Sequence, residues 1–184
     1  MKHTLVARVL DQPGVLNRIA SLFRRRGFNI ESLTVGHSEV EDVSRMTIVV
    51  DTARVPAHLV EANLRKLIPV AEVHDVTHLP TVERELTLFR VACSPADRAE
   101  MASLMDIFRG RIVDVAADSV IVEVTGDVEK VDSLVELLRP RGILEMVRTG
   151  KVALLRGAAY KEHITKPASD EAADDEDDAE PAVN

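Results

Sequence analysis

Apolar and polar residues alternate at the start of the chain. In HTLVARVL (residues 3–10), Leu5, Ala7 and Val9 fall on one side and Thr4, Val6 and Arg8 on the other, the two-residue period of a strand. The period then changes. From Pro13 to Arg26, the positions Leu16, Ile19, Ala20 and Phe23 recur at helical spacing, which predicts an amphipathic helix packed on a neighbour. Pro13 is expected at its first position, Arg24, Arg25 and Arg26 at the negative end of its dipole, and Gly27 as its stop. FNIESLTV and SRMTIVV return to strand, with Met46, Ile48 and Val50 on one face and VEDV as the hairpin between them. Val60, Leu64, Leu67 and Ile68 stripe a second helix over Pro56–Ile68, and VAEVHDV (70–76) reads as a fourth strand.

The order is β-α-β-β-α-β, and after THLPT it returns. ERELTLFRVAC is a strand; Met101, Leu104, Met105 and Phe108 stripe a helix; RIVDVA and SVIVEV are strands. Val128, Val131, Leu134, Val135 and Leu138 stripe a helix ending near Pro140, and GILEMVRTG closes the set. The pattern predicts an α+β chain of two ferredoxin-like βαββαβ units, each an antiparallel four-stranded sheet with two helices on one face. The repeat lies in the order of elements, with little residue identity between the halves. Each sheet is expected to have one bare face, and hiding it or its edges favours a homo-oligomer.

Composition changes the picture in two places. The 184 residues are 46% hydrophobic but only 3% aromatic, so the core is aliphatic and a base-stacking nucleic-acid surface is disfavoured. The net charge of -8 is local: Pro167–Asn184 holds eight acids and no Lys or Arg, and without them 23 acids face 23 bases. A segment of Ala, Asp, Glu and Pro cannot repay the entropy of ordering, so residues 160–184 are expected to form a disordered acidic tail. The single cysteine, Cys93, precludes an intrachain disulfide. The chain opens directly on a strand pattern, and no run approaches the ~20 apolar residues of a membrane span, so a soluble, cytoplasmic protein is expected.

Reactive chemistry is hard to find. The six histidines (His3, His37, His58, His74, His78, His163) make no metal-binding spacing. Cys93 has no partner base, Glu83 and Glu85 read as solvated strand positions, and no phosphate-binding or nucleophile-elbow motif occurs. RNA-binding modules share the element order, but their strand aromatics are missing. The feature that stands out is the strand-to-helix turn at DQPGVL. Gly14 allows close approach to the backbone, and the amides of Gly14, Val15 and Leu16 lie where the helix dipole is positive. Such a turn suits a carboxylate, with Asp11 placed to accept from an ammonium group. On these residues alone, an ordinary helix start is an equally open reading.

DQPGVLNRIASLFRRRGFNIESLTVG followed by SRMTIVV resembles the N-terminal ACT domain of the small, regulatory subunit of acetolactate synthase (acetohydroxyacid synthase). LRKLIPVAEVHDVT, VEREL and MDIFRGRIVDV resemble later segments of that family in the same order, so the likeness covers about residues 2–157. It implies an effector-binding ACT domain over 2–78, a C-terminal ACT-like domain over 82–157, and the acidic tail beyond. It further implies a subunit without an active site or a cofactor of its own. Such a subunit binds a catalytic large subunit that uses thiamine diphosphate, Mg²⁺ and FAD. It activates that subunit in branched-chain amino acid biosynthesis and confers feedback inhibition, usually by valine. The effector is expected between two ACT domains of a homodimer, held by Asp11, Gly14, Val15 and Leu16 of one chain and by Asn29 and Ile30 of the other. The sequence departs from the family at Asp11, where Asn is usual, and around Asn63 and Pro69, in a region that helps contact the catalytic subunit. Two other readings are a stand-alone ACT regulator of transcription or of another enzyme, and an enzyme on a ferredoxin-like scaffold.

Overall fold

The computed structural model describes residues 1–53 and 56–164. The first unit comprises β1 (Lys2–Leu10), α1 (Val15–Arg26), β2 (Asn29–His37), β3 (Val43–Asp51), α2 (Ala57–Arg65) and β4 (Val70–Asp75). Its antiparallel sheet has the order β2-β3-β1-β4, so β2 is an edge strand. The second unit comprises β5 (Thr81–Ala92), α3 (Arg98–Phe108), β6 (Arg111–Val115), β7 (Ser119–Gly126), α4 (Val128–Leu138) and β8 (Ile143–Arg148), in the order β6-β7-β5-β8. The α+β reading with two ferredoxin-like units therefore describes the chain.

Each unit has its own aliphatic core between sheet and helices. In the first, Leu5, Ala7, Val9, Met46, Ile48 and Val50 of the sheet meet Ile19, Phe23, Val60 and Leu64 of the helices. Phe23 and Phe28 meet edge to face with ring centroids 5.6 Å apart, an arrangement their quadrupoles favour. In the second, Phe89, Val91, Val120, Val122 and Val124 meet Met101, Met105, Val131, Leu134 and Leu138. Each of the Val, Leu, Ile, Met and Phe side chains among them, once buried, contributes about 1.5–3 kcal/mol before chain entropy is counted.

Helix α1 starts later than the sequence suggests. Val15 N–H donates to Gln12 O at 3.3 Å, with Pro13 and Gly14 in the corners and Gly14 at φ 87°, ψ -3°, a type II turn. The Pro-Gly turn preference outweighs the preference of proline for the first helical position. The buried stripe is consequently Val15, Ile19, Leu22 and Phe23, and the expected members Leu16 and Ala20 face outward. The helix stop follows the expectation: Gly27 takes φ 69°, with Gly27 N–H on Arg24 O and Phe28 N–H on Phe23 O. Helix α2 ends at Arg65, short of Ile68, which is 91% exposed.

Two additions follow β8. Strand β9 (Val152–Leu155) pairs with Thr81–Arg84, the leading third of β5, and α5 spans Gly157–Ile164. The expected disordered tail was drawn from residue 160, but 160–164 belong to this helix, where alanine-rich GAAYKEHI has good helix propensity and Ala159 is buried. The remainder of the expected tail lies outside the described residues. Strand β9 also alters the expectation of two bare sheet faces. Ala153 and Leu155 pack with Val6, Val76 and Leu79 on the face of the first sheet away from its helices. The guanidinium of Arg45 donates to Ala153 O at 2.9 Å. Glu85, expected to be solvated, is buried and accepts from Arg148 at 2.5 Å.

Candidate functional site

The turn at the end of β1 is held from two sides. Leu10 N–H donates to Pro69 O at 2.8 Å and Asp11 N–H to Asp42 O at 2.7 Å. Gly14 alone among the turn residues has positive φ, so its side chain is hydrogen because the backbone requires it. A Cβ built on Gly14 meets nothing within 4 Å, so the space above the turn is open.

The amides of this turn divide. Val15 N–H, expected to be free, is used by Gln12 O, and Val15 itself is buried. Val15 is therefore a core anchor of the turn, not a ligand donor. The N–H groups of Gly14, Leu16 and Asn17 have no acceptor among the described residues, and the first intrahelical bond of the turn runs from Arg18 N–H to Gly14 O at 3.0 Å. Three unpaired donors at the positive end of a twelve-residue helix suit a carboxylate. Leu16 is 47% exposed and stands beside them as an apolar surface. Asn17 was not legible as a donor, because the extent of the Pro-Gly turn decides which amides stay free.

Asp11 has a partner that sequence reading missed: His37 Nδ1 lies 3.0 Å from Asp11 Oδ2. The two are brought together by β3, which pairs Val43 with Leu10 and Ser44 with His37. The one clue was the VEDV hairpin, which sets the end of β2 beside the end of β1.

Asn29 and Ile30 lie elsewhere. They pair with Asp51 and Val50 of β3, which in turn pair with Lys2 and His3 at the opposite end of β1. The nine residues of β1 rise roughly 26 Å between these ends. Asn29 is exposed, its amide 3.5 Å from Glu31 Oε1. Ile30 packs partly against the first core. One chain thus assembles Asp11, Gly14, Leu16 and Asn17, and it keeps Asn29 and Ile30 away from them, on the edge strand.

The described residues contain no group of three or more His, Cys, Asp or Glu placed to hold a metal, and no helix long and apolar enough to cross a membrane. Cys93 is a buried free thiol.

Comparison with known proteins decides the family. A family described as the small subunit of acetolactate synthase matches residues 84–157, and one described as the AHAS small subunit-like ACT domain matches residues 5–72. The probable acetolactate synthase small subunit of Archaeoglobus fulgidus is 54% identical over 157 residues, covering 85% of this chain and 98% of that one. The chain belongs to the acetolactate synthase small-subunit family. The acetolactate synthase small subunit of Bacillus subtilis is 42% identical over 92% of this chain and 99% of its own length. The crystal structure of the acetolactate synthase small subunit from Thermotoga maritima superposes with a TM-score of 0.79 at 39% identity, covering 85% of this chain and 98% of that one. The first unit is accordingly the ACT domain of a small subunit, and the turn at Asp11–Asn17 belongs to that domain.

Proposed function

We propose that this small subunit is the regulatory partner of an acetolactate synthase. It would activate a catalytic large subunit that holds thiamine diphosphate, Mg²⁺ and FAD, and make it responsive to a branched-chain amino acid, with valine as the effector. The observation that carries the reading is the separation of the site within one chain. The amide donors sit at one end of the sheet, and Asn29 and Ile30 sit at the other end of edge strand β2. Antiparallel pairing of β2 with β2 of a second copy, centred near Leu33, sets residue 29 of one protomer opposite residue 37 of the other. That operation carries Asn29 and Ile30 of the partner subunit to the turn at Asp11 and Gly14. Valine then bridges two protomers: its carboxylate on the amides of Gly14, Leu16 and Asn17, its side chain against Leu16, its polar end within reach of the partner's Asn29.

Effector binding shifts the holoenzyme only by as much as valine prefers one arrangement of the pair to the other, typically about 1–3 kcal/mol. The test mixes the chain with the large subunit and measures acetolactate formation with and without valine, for wild type, Gly14→Ala and Gly14→Asp. Both variants carry the cost of a side chain at positive φ, about 1 kcal/mol. Only the aspartate sets a negative charge beside the anion site. Gly14→Asp is expected to activate normally and to ignore valine, with Gly14→Ala weakened in valine response alone. Full valine inhibition of Gly14→Asp would remove the turn from the site.

A further inference from the structure

The second unit contains a cleft of about 390 Å³ where the end of α3, the end of β7 and the start of α4 meet Arg84 of β5. Its size falls in the range of small-molecule sites. The lining is Ile107, Phe108, Arg109, Thr125, Gly126, Asp127 and Lys130 with Arg84, three cations against one acid.

Among the described residues of the unit, Arg90, Arg139, Arg141, Arg148 and Lys151 each have a carboxylate within 4 Å. Arg84, Arg109 and Lys130 have none among them, and neither do Arg98 and Arg156, which are spent on the backbone carbonyls of Ala116, Ala117 and Thr81, nor Arg111; of these, only Arg84, Arg109 and Lys130 converge on one cleft. Arg84 donates only to its neighbour's carbonyl, Glu83 O, at 2.6 Å, and Lys130 Nζ gives one of its three donors to Thr125 O at 2.8 Å. The one acid of the cleft is engaged: Asp127 Oδ1 accepts from Lys130 N–H at 2.9 Å and caps α4.

Two glycines build the cleft. A Cβ on Gly126 would fall 2.5 Å from Lys130 Cδ, so the lysine stem lies over that glycine. A Cβ on Gly110 would fall 2.8 Å from Val124 Cγ2 and 3.0 Å from Glu123 O, so the chain just beyond Arg109 is pressed onto β7. Arg109 holds φ 50°, a left-handed helix end that favours glycine, and places a guanidinium there instead. Ile107, 77% exposed, supplies an apolar lip.

We propose that this cleft binds a dianionic organic phosphate. Two guanidinium forks match phosphate oxygens in pairs, the ammonium adds a point charge, and Ile107 with Phe108 gives the organic part an apolar contact. The site lies on the second unit and stands apart from the valine reading of the ACT domain.

The experiment uses the full chain and calorimetric titration with adenosine 5′-monophosphate, inorganic phosphate and citrate. The variants are Arg84→Gln, Arg109→Gly, which suits the left-handed backbone, and their double, each checked for an unchanged circular dichroism spectrum. The nucleotide is expected to bind with a dissociation constant between about 10 µM and 1 mM, more tightly than citrate. Each single variant should weaken it about tenfold, and the double should abolish it. Binding of inorganic phosphate as tightly as the nucleotide, at a pH where both are dianions, would show that the apolar lip takes no part and would overturn the organic-phosphate assignment. No binding by any probe at about 5 mM, or binding untouched by the double variant, would overturn the site. Loss of association with the large subunit in the double variant, without phosphate binding in the wild type, would assign the cations to an acidic protein surface instead.

Discussion

Lys151 N–H donates to Ser32 Oγ at 3.2 Å, joining residues 119 positions apart. Ser32 lies in β2, the strand that begins with Asn29 and Ile30, and Lys151 lies in the connection between β8 and β9. Gly150 beside it leaves no room for a side chain: a Cβ there would fall 2.8 Å from Ser32 Oγ and 3.0 Å from the backbone of Leu33. The loop of the second unit therefore rests on the edge strand of the ACT domain. The contact ties β2 to the connection between β8 and β9, a route by which a shift of one can load the other.

Gly150→Val tests whether this contact transmits the effector signal. The added methyl groups press on backbone, and overpacking of this kind costs about 1–3 kcal/mol. The variant is expected to melt several degrees lower, to bind valine within about threefold of wild type by calorimetry, and to lose most of the valine inhibition of the mixed holoenzyme. Unchanged inhibition would separate the loop from the signal.

The carboxylate of Asp11 stands at the mouth of the proposed valine site with His37 Nδ1 at 3.0 Å. A fixed negative charge beside a bound carboxylate opposes it by about 1 kcal/mol through water. Asp11→Asn is expected to tighten valine about fivefold in calorimetry and to lower the valine concentration that half-inhibits the holoenzyme. The effect should shrink as salt rises, since screening already weakens an exposed repulsion in the wild type. Weaker binding in the variant would show instead that Asp11 holds the ammonium group.

Much of this was legible in the sequence, and the exceptions have physical causes. The end of α1 could be read because its signals agree: three arginines and then a glycine free to take φ 69°. Its start could not, because Pro13 and Gly14 serve two local patterns and the type II turn outweighs the helix. That choice turned Val15 inward and left Leu16 facing out. Strand β9 is four residues, VALL, too short for a period, and its place is fixed by Val6, Val76 and Leu79 far back in the chain. Glu85 reads as solvated because its partner Arg148 is 63 residues away. Residue pattern alone made the candidate site readable as a turn; its division into half-sites on two chains came from the family resemblance, since their separation depends on strand order.

Burial alone would push the Asp75 carboxyl up, but hydrogen bonds from Thr77 Oγ1 and Thr77 N–H, and from His3 Nδ1 at 2.6 Å, outweigh it and hold it below the usual carboxylate range. A depressed native pKa stabilises the fold fully above the unfolded value, about 3.9, and that stability is lost as pH falls through the native value. Asp75→Asn is therefore expected to melt below wild type at neutral pH and to converge with it as pH falls from about 5 to about 2. Melting curves across that range check the sign, and a gap that widens toward acid would contradict it.

The buried carboxylate of Glu85 and the guanidinium of Arg148 meet at 2.5 Å, and Arg148 also reaches Asp132 at 2.7 Å. Glu85 faces the helix layer, between core strands, so removing Arg148 strands a charge out of water. Breaking such a pair from one side typically costs about 3–5 kcal/mol, whereas replacing both partners by apolar groups can be neutral. Arg148 is itself partly exposed, so Arg148→Met is expected near the lower end, about 3 kcal/mol in urea unfolding. Glu85→Leu combined with Arg148→Met should recover most of that loss. If the double variant is as unstable as the single, the pair contributes through Asp132 and not through the buried carboxylate. Because β5 carries Glu85 and also pairs with β9, the single variant should loosen the junction between the units as well. The same urea series run with the mixed holoenzyme would then show a loss of valine inhibition in Arg148→Met that the double variant restores.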